Sequence, residues 1–593
     1  MRRSDIESKY KWKLEDIIPS DEAWEKEFAA LKDKCGELCA YDGKLTDRDR
    51  VLACLKLQDE VSLCAERLYV FSAMRRDENV GDADSQARCD RAESALVKMS
   101  EMTAFITPQL TALDEDTLRG FAADPDFSDY DYLIRTLIRT KKHTLSEKEE
   151  RLLAMTGLFS STAQDAFRML DNADIRFEPY VKSDGSEVRL THGIYGAEMQ
   201  SPVREDRKKA FETMHGAFKA NVNTLAALYS GNVKKNIFYS RARGYQGCLD
   251  RATSGEDVPQ SVYRKLVGCV EGGLPALSEY LEYRRRKLGV EELHMYDLHV
   301  PLVGGAELSL EYEDACKLVE EALAPLGEEY GELLKKAFAE GWIDVCENEG
   351  KRSGAYSWGA YGTHPYVLLN YQKTTSDVFT IAHELGHAMH SHYSNLNQPY
   401  AKAGYTIFVA EVASTVNETL MLRHLLGKCT DKAQRAYLLS YMLDMFRTTV
   451  FRQTQFAQFE LEAHERAEKD EPLTAQTLSD LYYDLNRKYY SGENVVCDDL
   501  IRYEWSRIPH FYTAFYVYKY ATGLISAVCI ADRILNEGEK AVADYKKFLS
   551  AGGSMPPVEI LKLAGVDLTD DAPFEKAMKM FSDFLAELKK SDE

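Results

Sequence analysis

Thr374-Thr375-Ser376-Asp377-Val378-Phe379-Thr380-Ile381-Ala382-His383-Glu384-Leu385-Gly386-His387 is the stretch from which the rest of the chain is read. Thr374 to Asp377 supplies N-cap residues, and Val378 to Ser394 follows with Gly386 as its only glycine and no proline. The spacing predicts a helix that carries both histidines. Residues i and i+4 of a helix share one face about one turn apart, so His383 and His387 can offer their rings to a single tetrahedral zinc ion. Glu384 then projects toward a water on that metal, which is the HExxH arrangement. Five residues are a short pattern that chance alone can supply, so its surroundings decide what it means.

Two ligands leave zinc under-coordinated, because a catalytic site needs a third protein ligand with the fourth position open to water. Glu411 supplies one, within Phe408-Val409-Ala410-Glu411-Val412-Ala413-Ser414-Thr415. A second helix is predicted over Ile407 to Leu425, joined to the first by a loop containing Pro399 and Gly404, so that the two pack as a hairpin. Ser414, Thr415 and Glu418 follow on the face of Glu411 and can orient a ligand imidazole, although Glu418 as a plain surface carboxylate is an equal alternative. His390 competes for the third position, but its Cα lies about 10 Å along the helix axis from that of His383. It is read as a neighbour of the site rather than a ligand, and His392 as a surface histidine.

Upstream, Tyr366-Val367-Leu368-Leu369-Asn370-Tyr371 reads as a strand, whose edge could pair with an extended peptide and accept many sequences through main-chain hydrogen bonds. Gly354, Gly359 and Gly362 before it mark either a mobile loop or tight turns. Further strands are expected at Leu298 to Val303 and Trp342 to Cys346. A hairpin is expected around Ser183-Asp184-Gly185, between Ile175-Arg176-Phe177-Glu178 and Glu187-Val188-Arg189-Leu190-Thr191. Elsewhere apolar residues return every three or four positions, as in Asp21 to Cys39, Arg48 to Ala73 and from Arg204 onward. The expected fold is mainly α: a multi-helix, two-lobed protein with a small β-sheet beside the HExxH helix. Its expected domains are a helical N-terminal lobe over residues 1–200, with the hairpin near its end, and a catalytic domain over 201–593.

Composition narrows the class. At 593 residues the chain outgrows a single hydrophobic core, and its 45% apolar and 29% charged content is ordinary for a globular protein. No apolar run reaches the length of a membrane span. The formal net charge of −22 disfavours binding to nucleic acid or to anionic membranes. The 12 cysteines show no CxxC pair, which fits reduced thiols; Cys35 and Cys39 read as two residues one turn apart on a helix. Met1 to Tyr10 has no apolar segment behind its arginines, so the cytoplasm is the expected compartment.

A further segment, Ile508-Pro509-His510-Phe511-Tyr512 followed by Phe515-Tyr516-Val517-Tyr518-Lys519-Tyr520, carries donors of the kind needed to meet an oxyanion. Six aromatic side chains between Phe511 and Tyr520 cannot share one helical face. Phe511, Phe515 and Tyr520 are the expected core members.

Taken with His383-Glu384-Leu385-Gly386-His387-Ala388-Met389-His390, with Glu411 and Ser414, and with Tyr356-Ser357-Trp358-Gly359-Ala360-Tyr361, this segment resembles the thimet oligopeptidase-like zinc metallopeptidases, and among them the bacterial oligoendopeptidase F branch. The resemblance implies an elongated molecule with a deep channel, in which extended oligopeptides reach one zinc ion and folded proteins do not. It also implies that His510 and Tyr516 contact the substrate near the scissile carbonyl, with Tyr512 and Tyr518 as further substrate-binding candidates. Phe511-Tyr512 stands here where the thimet branch has a glycine-tyrosine pair, so the register of the tyrosines stays open. The expected activity is a zinc endopeptidase with Glu384 as general base. A zinc carboxypeptidase of related fold, and a non-catalytic zinc-binding scaffold, are the alternatives.

Overall fold

A computed structural model describes residues 1–304 and 308–591. It is 71% helical with small sheets only. Contacts divide the chain into two compact units, each built from separate stretches. One comprises Met1–Glu147, Leu308–His424 and Ile530–Val566; the other comprises Lys148–Glu307, Leu425–Cys529 and Asp567–Glu593.

In the first unit the periodic segments fold as their spacing requires. The helix Asp21–Cys39 starts at Ser20, whose side chain accepts from the Ala23 amide, and it buries Trp24, Leu31, Cys35 and Leu38 along one stripe. Cys35 and Cys39 both sit on it as free thiols. The next helix, Arg48–Glu78, is capped by Asp47 and continues past the expected end at Ala73. The Trp24 indole donates to Ser72 at 3.0 Å, tying the two helices across a core that also takes in Phe71, Tyr366 and Leu368.

A three-stranded sheet lies on that core: β4 (Ile343–Asp344), β5 (Tyr356–Trp358) and β6 (Tyr366–Leu368), in the order β4-β6-β5. β4 runs parallel to β6, and β5 pairs antiparallel with it in the register Tyr356 to Leu368, Ser357 to Val367 and Trp358 to Tyr366. The strand ahead of the HExxH helix is therefore central and buried, not an edge; the edges belong to β4 and β5. The glycines around β5 make tight turns. Gly354 and Gly362 have φ of +86° and +83°, and a Cβ on Gly359 would lie 3.2 Å from the Pro365 Cα.

The second unit holds the helix Arg204–Ala220, at its expected start, and a core that includes Phe167, Ile175, Leu190, Met214, Phe218 and Tyr512. The hairpin forms around Gly185, but its ladder is β1 (Tyr180–Val181) with β2 (Glu187–Val188) rather than Ile175–Glu178 with Glu187–Thr191. Ile175 and Leu190 are buried as core anchors outside the ladder, which explains the misread alternation. Leu298 to Val303 forms no strand. The other pairing in this unit is parallel, between β3 (Leu293–His294) and β7 (Val495–Val496). Among the described residues no helix is long and apolar enough to cross a membrane.

Candidate metal centre

The helix Thr375–Asn397 begins with a reciprocal cap. Thr374 Oγ1 accepts from the Asp377 amide at 3.2 Å, and Asp377 Oδ2 accepts from the Thr374 amide at 2.9 Å. Its partner, Ile407–Lys428, follows a connection that holds the short turn Tyr400–Ala403. The two helices approach closely at Gly386, where an added Cβ would lie 2.5 Å from the Ser414 Cα and 2.6 Å from the Ala413 carbonyl oxygen. Asn417 adds a polar tie. Its amide donates to the Ala382 carbonyl at 3.0 Å, and its oxygen accepts from the Tyr330 hydroxyl at 3.1 Å.

This packing brings His383, His387 and Glu411 into one group of potential metal ligands. The two Nε2 atoms are 3.2 Å apart, and Glu411 Oε2 lies 3.5 Å from that of His383 and 3.4 Å from that of His387. Two donors held 2.0–2.1 Å from a tetrahedral ion must stand about 3.3–3.4 Å apart, so the triangle fits a metal of that size without rearrangement. Ser414 Oγ donates to Glu411 Oε2 at 3.1 Å, holding the carboxylate rather than an imidazole. The imidazole of His383 is held by Glu418, whose Oε1 lies 2.9 Å from Nδ1. Glu418 is thus a partner of the site and not a surface carboxylate.

The electrostatics of the cluster follow from these contacts. Burial opposes a charge on His383, but the Glu418 hydrogen bond and the surrounding carboxylates outweigh it and raise the ring to about 9. Burial likewise works against the Glu411 charge, yet the adjacent histidines bring that carboxyl down to about 2. Glu384 is 7% exposed, and burial pushes its carboxyl up despite the flanking histidines. A cation sitting among these donors would replace the proton on His383.

His390 lies away from the cluster, fully buried and stacked on Tyr405 with ring centres 3.8 Å apart. His392 is half-buried, 6.0 Å from the Trp342 ring, rather than a surface residue. In the second unit His510 is exposed and its ring stacks with the half-buried Tyr516 at 6.1 Å. Tyr520 joins them, with its hydroxyl 3.5 Å from His510 Nε2, so it is not the core residue expected. Phe511 and Phe515 are in the core, at 1% and 2% exposure. Tyr512 stacks on Phe167 at 4.5 Å and Tyr518 packs at a tilt on Tyr263 with ring centres 4.8 Å apart, both buried. Gly386 and Asn417 were missed from the sequence, although an isolated glycine inside a helix is itself a sign of close packing.

The family model described as peptidase family M3 matches residues 197–580, more than half of the chain. The chain belongs to peptidase family M3. A second model, oligopeptidase F, matches residues 109–177 of this M3 peptidase. Oligopeptidase PepF of Bacillus subtilis is 43% identical over 588 residues, covering 99% of this chain and 88% of its own. Group B oligopeptidase PepB of Streptococcus agalactiae is 38% identical, covering 99% and 98%. Among solved structures, oligoendopeptidase-F from Enterococcus faecium superposes with a TM-score of 0.74 at 34% identity, covering 96% and 99%. A chain from Chlamydophila abortus does so with a TM-score of 0.94 at 34% identity, covering 100% and 99%. This M3 peptidase is accordingly a metallopeptidase hydrolase of the oligoendopeptidase F kind.

Proposed function

We propose that this chain is a zinc-dependent endopeptidase acting on oligopeptides, with His383, His387 and Glu411 as the ligands of one ion and Glu384 as general base. The observation that carries the reading is the donor triangle, 3.2 to 3.5 Å on each side, with Glu384 next to His383 between the two histidines of the same helix. Zinc bound there supplies a Lewis acid that polarises a peptide carbonyl and acidifies a water. Glu384, its proton affinity raised by burial, takes a proton from the attacking water on a carboxylate oxygen and hands it to the leaving amine nitrogen. Glu418 keeps the Nδ1 proton of His383, and Ser414 keeps Glu411 aimed at the rings.

His510 and Tyr516 are proposed to donate hydrogen bonds to the developing oxyanion, a role supported by the family resemblance and by the stacking of the two rings. Tyr520 is a better third donor than Tyr512 or Tyr518, which are packed away in the core. The outer edge of β5 has no strand partner among the described residues, which supports main-chain pairing with an extended peptide and hence broad sequence acceptance. The cytoplasm is the proposed compartment, in keeping with 12 free cysteines among the described residues. A division near residue 200 is proposed for the domains, supported by the end of the oligopeptidase F match at residue 177 and the start of the M3 match at residue 197.

Digesting an oligopeptide pool and a folded protein, with and without a zinc chelator, tests the activity. Internal cuts in the short peptides, abolished by the chelator, are expected. Release of single C-terminal residues only would establish a carboxypeptidase instead. Glu384→Gln is expected to keep stoichiometric zinc and lose hydrolysis by at least about 100-fold. Substantial turnover in that variant would remove Glu384 from its role.

A further inference from the structure

Glu460 lies in the helix Arg452–Glu468 with 0% exposure. One carboxyl oxygen, Oε1, accepts the backbone N–H of Phe515 at 2.7 Å; Oε2 has no hydrogen-bond partner among the described residues. Burial pushes this carboxyl well above the ordinary range, the Phe515 amide working against that shift. A carboxyl is a costly way to fill a hydrophobic core, and its one hydrogen bond among the described residues comes from a backbone amide.

That amide belongs to an unusual residue. Phe515 has φ of +56°, a left-handed conformation that a bulky side chain adopts only where its surroundings impose it. Its ring is pinned at 5.7 Å from Tyr263 and 4.7 Å from His464. His464 is itself fixed one turn along from Glu460, with Nδ1 donating to the Glu460 carbonyl at 2.8 Å and Nε2 accepting from Asn236 at 3.2 Å. The left-handed turn is what separates the two faces of this segment. Phe515 goes into the core, and Tyr516 emerges beside His510 and 5.4 Å from the ring of Tyr520.

We propose that Glu460 is a positioning residue for peptide hydrolysis: its carboxyl clamps the Phe515 peptide in the left-handed turn and so fixes the His510, Tyr516 and Tyr520 face that meets the substrate. The proposal rests on the reading of His510 and Tyr516 as oxyanion donors. Loss of the clamp lets the Phe515 peptide relax, and a misplacement of about 1 Å in such donors costs about 100-fold in rate.

Glu460→Gln keeps an acceptor for the amide, whereas Glu460→Leu keeps the bulk and removes it. Measured on the zinc-loaded full chain, Glu460→Leu is expected to lower kcat by about 10- to 100-fold, with KM within about threefold and zinc content unchanged. Glu460→Gln should stay within about threefold of the parent. Equal activity of Glu460→Leu and the parent would overturn the clamp, as would equal losses in both variants. His510→Ala and Tyr516→Phe run alongside: if neither loses activity, the donor reading itself has failed, whereas if both do and Glu460→Leu does not, only the positioning role has. Should Glu460→Leu fail to fold, amide hydrogen exchange of the parent decides, slow exchange at Phe515 supporting the clamp and fast exchange excluding it.

Discussion

Glu418 accepts from His383 Nδ1 at 2.9 Å, which in the neutral ring leaves Nε2 unprotonated and facing His387 and Glu411. Removing that acceptor frees the ring to rotate and to take the other tautomer. Glu418→Ala is therefore expected to weaken metal binding by about 10- to 100-fold, read by competition against a chromogenic chelator. An unchanged affinity would mean that packing alone orients His383. The ligands themselves were legible because helical spacing fixes His383 and His387, and coordination chemistry demands a third donor. The duties of Ser414 and Glu418 were less so. Both lie on the Glu411 helix, but a serine reaches only its own helix, where it bonds the carboxylate and the carbonyl of Glu411, whereas a glutamate is long enough to cross to the neighbouring one.

At the scale of elements, the two metal-bearing helices have a contact with no room for a side chain. A Cβ at position 386 would sit 2.5 Å from the Ser414 Cα, where backbone cannot yield as a flexible side chain does. Gly386→Ala must part the helices, carrying Glu411 off the histidine pair. The expected result is a loss of about 1–3 kcal/mol in stability together with weaker metal binding. If unfolding shifts without any change in metal affinity, the glycine serves packing alone. Helices were read closely from sequence because amphipathic periodicity persists over many turns, as in Asp21–Cys39. The strands were read poorly: ladders only two or three residues long leave little alternation, and apolar anchors such as Ile175 imitate it.

Across the whole molecule, the sequence carried the helical class and the chemistry of the site, while the grouping of distant stretches into compact units depends on long-range packing that composition does not record. The same holds for burial of titratable groups, and this sets the response to acid. His215 and His464, each 1% exposed, are pushed down by burial to about 4, and the fully buried His390 to about 3. In the unfolded chain a histidine takes its proton near pH 6.5. Below that pH the unfolded state binds more protons than the folded one, so stability is complete above about 6.5 and falls as pH drops toward 4. Below that the folded rings of His215 and His464 also protonate and their contribution levels off. Each ring shifted to about 4 accounts for roughly 3 kcal/mol over that window. Carboxylates held down by ion pairs, such as Asp297 between Arg204 and Arg207, add their losses only near and below pH 4. The urea midpoint measured at pH 7.5, 6.0 and 5.0 is thus expected to decline, and His215→Leu to make that decline shallower. A midpoint that stays flat from pH 7.5 to 5.0 would show that these buried imidazoles do not govern the acid limb.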